Sequence, residues 1–207
     1  MSRWKLFFRV MLCCWLAVAF SMVACGGDDG DDGGNGVPGS HHVRVVFVTE
    51  GEYNGNLGQI DGADNKCQLE ADAAGLDGEF KAWISTAYAG GTDPVDRFNH
   101  STAPYQLVDG TQIAADWADL TDGTLDHAID MNARGVREYF WSCWTSTNAS
   151  GQGIGGGTGN TCQDWTSSSA DDFAGEGLIS HGDEWWSWIT YSYVSCNDTS
   201  HLYCFEQ

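Results

Sequence analysis

The chain has 207 residues and carries nine Lys and Arg against 29 Asp and Glu, a formal net charge of −20. That balance excludes partners that need a basic footprint on the protein: nucleic acid, anionic lipid headgroups and heparin-like polyanions. Hydrophobic residues at 42%, with ten Trp, nine Phe and seven Tyr, suffice for a packed core, and 27 Gly against three Pro imply many turns and few stiff linkers.

Residues 1–24 read as an export signal. Arg3, Lys5 and Arg9 make a basic start, and a mostly apolar run follows from Val10 to Ala24. The run falls short of the roughly 20 residues a membrane-spanning helix needs, which favours a cleaved signal. It ends Met22-Val23-Ala24-Cys25, which resembles a bacterial lipobox with Met22 where Leu is commoner. The expectation is a lipid on Cys25; ordinary cleavage after Ala17-Val18-Ala19 is the alternative. Residues 25–40, opening Gly26-Gly27-Asp28-Asp29-Gly30-Asp31-Asp32, cannot bury anything and read as a hydrated tether. Its aspartates lack the ligand spacing of an EF-hand loop. Gly rather than Asp after the Cys, by resemblance to known lipoproteins, implies sorting to the outer membrane and an envelope location. Loss of residues 1–24 leaves only Arg44, Lys66, Lys81, Arg97, Arg134 and Arg137 positive.

From residue 41 a folded domain begins. Val43 to Thr49 is β-branched and predicts a strand buried on both faces. Asp61 to Gly75 predicts a helix, with Asp61 as cap, Ala63, Cys67, Ala71 and Ala74 on one face, and Gly75 as stop. Lys81 to Ser85 predicts a short strand. Tyr105 to Val108 and Thr111 to Ala114 flank Asp109-Gly110, a favoured type I′ hairpin turn. Thr121-Asp122-Gly123-Thr124 repeats the turn chemistry without strands beside it. Asn148 to Asn160 is a glycine-rich loop. Glu138 to Thr147 and Glu184 to Val194 predict aromatic strands, and His201 to Glu206 closes an α+β domain.

Cysteines suit an exported protein. Cys13 and Cys14 leave with the signal and Cys25 takes the lipid, so Cys67, Cys143, Cys162, Cys196 and Cys204 remain as disulfide candidates with one left over. Zinc is the rival reading, but no C-x-x-C pair occurs among the five.

Several stretches carry a family resemblance. Gly58-Gln59-Ile60-Asp61-Gly62-Ala63-Asp64-Asn65-Lys66-Cys67 and Ala73-Ala74-Gly75-Leu76-Asp77-Gly78-Glu79-Phe80-Lys81-Ala82-Trp83-Ile84-Ser85 resemble the helix-and-strand core of endostatin, the C-terminal domain of certain collagens. The likeness resumes at Cys162-Gln163-Asp164-Trp165-Thr166, at Ser195-Cys196 and at Leu202-Tyr203-Cys204-Phe205-Glu206. Still more similar are bacterial lipoproteins with an endostatin-like domain, through Val46-Phe47-Val48-Thr49, Tyr105-Gln106-Leu107-Val108-Asp109-Gly110-Thr111 and Trp117-Ala118-Asp119-Leu120-Thr121-Asp122-Gly123-Thr124. The resemblance covers Val43 to Gln207. It implies a C-type-lectin-like fold with nested disulfides, Cys67 to Cys204 and Cys162 to Cys196, leaving Cys143 as a buried thiol or an intermolecular partner.

Departures from the pattern bear on function. Endostatin's heparin binding rests on clustered arginines, which this chain lacks, and His41-His42 has no visible partner set for that family's zinc. The Glu-Pro-Asn or Gln-Pro-Asp loop and Trp-Asn-Asp triplet of calcium-dependent lectins do not occur. No Gly-x-Ser-x-Gly, His-Glu-x-x-His or phosphate loop is present either. Carboxylate pairs such as Asp183/Glu184 are expected by chance among 29 acids. The feature that invites a ligand is Trp185-Trp186-Ser187-Trp188 with Tyr191: on a strand, large rings cover both faces, one for the core and one for stacking or anchoring. The expected function is a surface-anchored, non-catalytic recognition module for an extracellular protein or glycan, using this aromatic segment and the Asn148–Asn160 loop. No cofactor or metal is expected, and the lipid is the expected link to a membrane. A structural envelope lipoprotein without a ligand is the alternative, with an envelope hydrolase further behind.

Overall fold

The run Val43 to Thr49 forms β1, Arg44–Val48, in the middle of the larger sheet. Its burial explains why no polar residue alternates through it. Val46 and Val48 enter one core and Phe47 enters another on the opposite face, all three fully buried. The structure is a computed structural model that describes residues 42–87, 92–139, 142–155, 160–189 and 193–207. The signal, Cys25, the tether, His41 and Tyr191 lie outside the described residues.

The larger sheet runs β2-β8-β1-β3-β4, with β2 at Phe80–Ala82, β8 at Tyr203–Glu206, β3 at Tyr105–Gln106 and β4 at Gln112–Ala114. Only β1 and β3 pair in parallel; the other neighbours are antiparallel. A smaller antiparallel sheet joins β5 (Ser142–Trp144), β6 (Phe173–Leu178) and β7 (Tyr193–Ser195) in that order. With one long helix and two short ones, α2 at Pro94–Arg97 and α3 at Trp117–Leu120, the fold is α+β.

Helix α1, Gln59–Ala74, starts two residues before the expected Asp61 cap. Gly58 supplies the start by adopting φ 83°, with no side-chain cap, and Gly75 ends the helix at φ 75° by donating its N–H to Ala71 and Asp72. Ala63, Cys67 and Ala71 are buried as their spacing implies, while Ala74 is half-buried. Cys67 bonds Cys204 on β8 across 137 residues, and Cys162 bonds Cys196 across 34. These are the two pairs that the resemblance implies. Cys143 is buried without a disulfide, beside the Tyr203 hydroxyl. Burial pushes its thiol well above the ordinary range, with the Glu176 carboxylate adding to the effect.

Four expected elements need correction. The β3–β4 hairpin is not a type I′ turn. That turn needs positive φ at two central residues, but only Gly110 (φ 85°) has it, and the chain closes with Leu107 and Thr111 paired around a three-residue loop. The strands expected at Lys81–Ser85 and Glu138–Thr147 shrink to β2 and β5. Trp83 still donates its N–H to the Tyr203 carbonyl of β8 at 3.0 Å, Ile84 and Ser85 turn away from β8, and all three are fully buried. The strand expected at Glu184–Val194 opens instead as a 3₁₀ turn, Glu184–Trp186, and β7 begins only at Tyr193. The reason is local: Asp183 caps the turn by accepting from the Trp185 N–H at 3.2 Å, and Ser187 and Trp188 donate back to the Glu184 carbonyl.

One segment adopts a conformation no periodicity announces. Cys162, Gln163, Asp164 and Trp165 all have φ between 49° and 64°, which makes a single left-handed helical turn. Such backbone costs roughly 1–2 kcal/mol per non-glycine residue, so tertiary contacts must hold it. Cys162 is tied by its disulfide, the Asp164 carboxylate accepts from the Ala87 N–H at 2.8 Å, and the Trp165 indole donates to the Ser85 carbonyl at 2.8 Å.

Candidate binding groove

The groove is built from the core outward. Trp186 is fully buried and packs on Trp83, with ring centroids 5.0 Å apart, and on Tyr203 and Phe205. Behind it, β6 carries Gly175 and Gly177 on one face. A Cβ on Gly177 would collide with the Trp186 carbonyl, and one on Gly175 would meet Ile154 at 2.8 Å and the Trp188 ring at 3.4 Å. The two glycines clear a shelf on which the 3₁₀ turn and Trp188 lie.

Ser187 then joins two walls. It is fully buried, accepts the Trp83 indole N–H at 2.7 Å and donates to the Thr147 carbonyl at 2.8 Å. The Thr145 hydroxyl donates to the Ser187 carbonyl. Because Thr147 leads directly into the Asn148 loop, these bonds set the distance between that loop and Trp188. The first turn of that loop, Asn148 to Gln152, is bonded within itself. Asn148 Oδ1 accepts from the Ser150 N–H, the Ser150 hydroxyl and the Gln152 N–H at 2.7–3.0 Å. Gly151, at φ 77°, brings its backbone against α2, where its carbonyl accepts from the Val95 N–H at 3.0 Å.

Between these walls lies a groove of about 310 Å³, lined by Gly123, Asn148, Ala149, Ser150, Glu184 and Trp188. The size suits one ring-sized group of a ligand. Trp188 is half-buried, with its indole nitrogen covered and unbonded. With Asn148 Oδ1 occupied three times, Nδ2 is left as a donor with no partner among the described residues. The Glu184 side chain is exposed and has no hydrogen bond or ion pair among the described residues. The groove therefore offers one apolar ring, one amide donor, one hydroxyl and one carboxylate. A second pocket, about 230 Å³, opens at the start of α1 beside Asp61 and Asp164. Among the described residues its lining holds no aromatic ring, and the Asp164 carboxylate already serves the Ala87 N–H and the Thr161 hydroxyl.

The expected aromatic residues separate. Trp188 reaches the groove. Trp186 does not: it is a core residue, and its expected ligand role is withdrawn. Trp185 is 43% exposed but turns toward His181, with ring centroids 5.5 Å apart, and does not line the groove. A strand would have set Trp186 and Trp188 on one face; the 3₁₀ turn places one inside and one at the surface. Tyr191 falls outside the described residues. The sequence reading missed Glu184, set aside as one of many acids, and Gly123, whose turn forms the far rim. It also missed β6, whose Gly-Glu-Gly alternation at 175–177 was the available signal for a surface on which other backbone lies.

Other polar clusters serve the fold. Arg97 Nη1 meets both Asp64 oxygens at 2.9–3.0 Å while Asp64 accepts from the Ala82 N–H, joining α1, α2 and β2. Burial raises the Asp64 titration and outweighs the Arg97 charge that lowers it. Glu176, 6% exposed, accepts from the Ser142 and Ser200 hydroxyls, and its titration is likewise raised by burial. Among the described residues no three His, Cys, Asp or Glu side chains are grouped to hold a metal ion. No described helix is long and apolar enough to cross a membrane. Compared with known proteins, the chain matches no protein-family model and no curated sequence.

Proposed function

We propose that this protein is a lipid-anchored, non-catalytic recognition module that binds a glycan in the groove between the Asn148 loop and Trp188. The observation that carries the reading is the pairing of an indole wall with a donor amide, a hydroxyl and an acceptor carboxylate. A sugar ring presents an apolar C–H face and a rim of hydroxyls, and the groove offers a counterpart to each. The two walls are preorganised by Ser187 and by the triply bonded Asn148, which lowers the ordering cost of binding. A binding role is favoured over a hydrolytic one by the groove's contents: among the described residues it is lined by one carboxylate and no His, Lys or Cys.

The endostatin-like, C-type-lectin-like fold belongs to the same proposal. It is supported by the order of elements, by the two nested disulfides and by the motifs from Val43 to Gln207. Anchoring through Cys25 in the outer membrane, facing outward, is supported by the lipobox-like end of the signal and by the Gly/Asp tether. Many tethered copies would add avidity to a shallow groove.

The test is a glycan and matrix-protein array probed with the full chain, with calcium and with chelator. Saturable binding to glycans that disappears in a folded Trp188→Ala variant is the expected result. Binding confined to matrix proteins replaces the glycan with a protein ligand, and silence on both arrays supports a structural envelope lipoprotein. For the anchor, wild-type protein takes up labelled lipid and partitions with membranes, and Cys25→Ala does neither.

A further inference from the structure

We infer that the groove selects a positively charged sugar, an amino sugar with a free ammonium group, over neutral and acidic ones, and that Glu184 determines this choice. The inference rests on the groove being the ligand site and adds the charge of the ligand to it.

Cation accounting is the first argument. From His42 onward the chain has six Lys and Arg against 25 Asp and Glu. All six are engaged elsewhere. Arg44 meets Glu206, Lys66 the Leu57 carbonyl, Lys81 Glu79, Arg97 Asp64, Arg134 Glu50, and Arg137 both Asp109 and Asp130. Among the described residues Glu184 therefore has no Lys or Arg paired to it, and the nearby His181 is paired with Asp183 at 3.1 Å. Around it the field is negative as well. Asp183, which pairs with His181, directly precedes it, and Asp122 adjoins Gly123 of the groove lining. An acidic sugar is repelled on approach, whereas an ammonium is drawn in by the net charge and can donate to Glu184.

A second argument separates a sugar from a lysine side chain, which carries the same charge. A lysine stem could lie on the Trp188 ring and reach Glu184, but it has one polar end. The Asn148 amide donor would stay unmatched, while the Ser150 hydroxyl already donates to Asn148 Oδ1 at 2.7 Å. A pyranose with an ammonium and several hydroxyls satisfies the carboxylate and the amide together while its C–H face rests on the indole. Partial cation–π attraction between ammonium and indole adds to the same preference.

The test is calorimetry of the full chain with two probes at mildly acidic pH, a glucosamine tetramer and an N-acetylglucosamine tetramer. The pair differs in charge at each amine. The glucosamine tetramer should bind about fivefold tighter, in keeping with one exposed ion pair. Glu184→Gln should erase that margin, its loss of affinity falling more heavily on the glucosamine tetramer than on the acetylated one. Added salt should shrink the margin in wild type only. Equal binding of both tetramers, each lost in Trp188→Ala, overturns the amino-sugar inference while the groove remains a glycan site. Binding of oligolysine without either tetramer overturns it in favour of a basic polypeptide. Glucosamine binding that ignores both Glu184→Gln and Trp188→Ala is diffuse attraction to an acidic surface, and it overturns both the inference and the groove reading. Silence of all three probes overturns the inference, and the wider array then decides the groove reading separately.

Discussion

The two sheets of this protein solve opposite problems. The five-stranded sheet is organised around β1, whose apolar residues alternate between two cores, with α1 clamped to β8 by the Cys67–Cys204 bond. The three-stranded sheet has little regular pattern to draw on. Its central strand β6 contains two glycines, its neighbours are three residues long, and a left-handed turn and a 3₁₀ turn lean on it. The first region is stabilised by periodic burial, the second by individual side-chain-to-backbone bonds such as those of Ser187, Trp165 and Asn148. That difference teaches where a binding site can be placed. Hydrogen-bonded loops hold polar groups at a surface without committing them to a ladder, and a periodic core beneath keeps them still.

The contrast can be broken by mutation. Opening the outer disulfide with Cys67→Ala and Cys204→Ala should be the most damaging change. Constraining a loop of this length contributes about 4–5 kcal/mol in chain-entropy terms, against about 3–4 for the shorter one. Denaturant titration of the two double variants measures both. Equal losses would show that the left-handed turn, freed when Cys162 is released, offsets nothing.

Next comes the Trp186/Trp188 pair. Trp186→Ala removes a fully buried ring and should cost about 3–5 kcal/mol. Trp188→Ala, at a half-buried position, should cost about 1–2 kcal/mol and abolish groove binding. Thermal unfolding beside ligand titration separates core residue from wall. Matching stability losses would contradict the assignment of their roles.

Gly177→Ala sharpens the comparison from within the smaller sheet. Its new methyl meets the Trp186 carbonyl, so the 3₁₀ turn must move, at about 1–3 kcal/mol. Hydrogen exchange should rise at Ser187 and Trp188 more than in β1 or α1. Uniform exchange across both sheets would mean the regions unfold as one unit.

The smallest effect concerns pH. Burial raises the Glu176 titration, so the folded state holds that proton more tightly than the unfolded chain. Its contribution to stability is fully present below its ordinary value near 4.5 and fades as pH rises through the higher folded value. Glu176→Gln should flatten this limb by an amount on the order of 1 kcal/mol, seen as a smaller fall in Tm from acid toward neutral pH. An unchanged slope would exclude Glu176 as its source.

How much of this was legible follows the same division. β1, α1 and the stop at Gly75 could be read because burial on a regular element leaves a period in the sequence. The Asn148 loop and the turn at Gly123 were legible as loops, though not as the two rims of one groove. Trp185, Trp186 and Trp188 were legible as candidates but misplaced, since a capped 3₁₀ turn and a strand are equally compatible with a cluster of large rings. The role of Glu184 was hidden among many carboxylates, because only spatial neighbours distinguish an unpaired acid from a solvated one.

By itself, then, the sequence determined the acidic character, the α+β class and the position of the main strand and helix. These depend on composition and local periodicity, which neighbours in the chain settle among themselves. Tertiary structure alone decided which tryptophan is core and which is wall, that four consecutive residues adopt left-handed backbone, and that Asn148 and Glu184 face one space. Each of those outcomes depends on groups far apart in the chain, held together by packing, a disulfide or a single buried hydroxyl, and no local pattern records them.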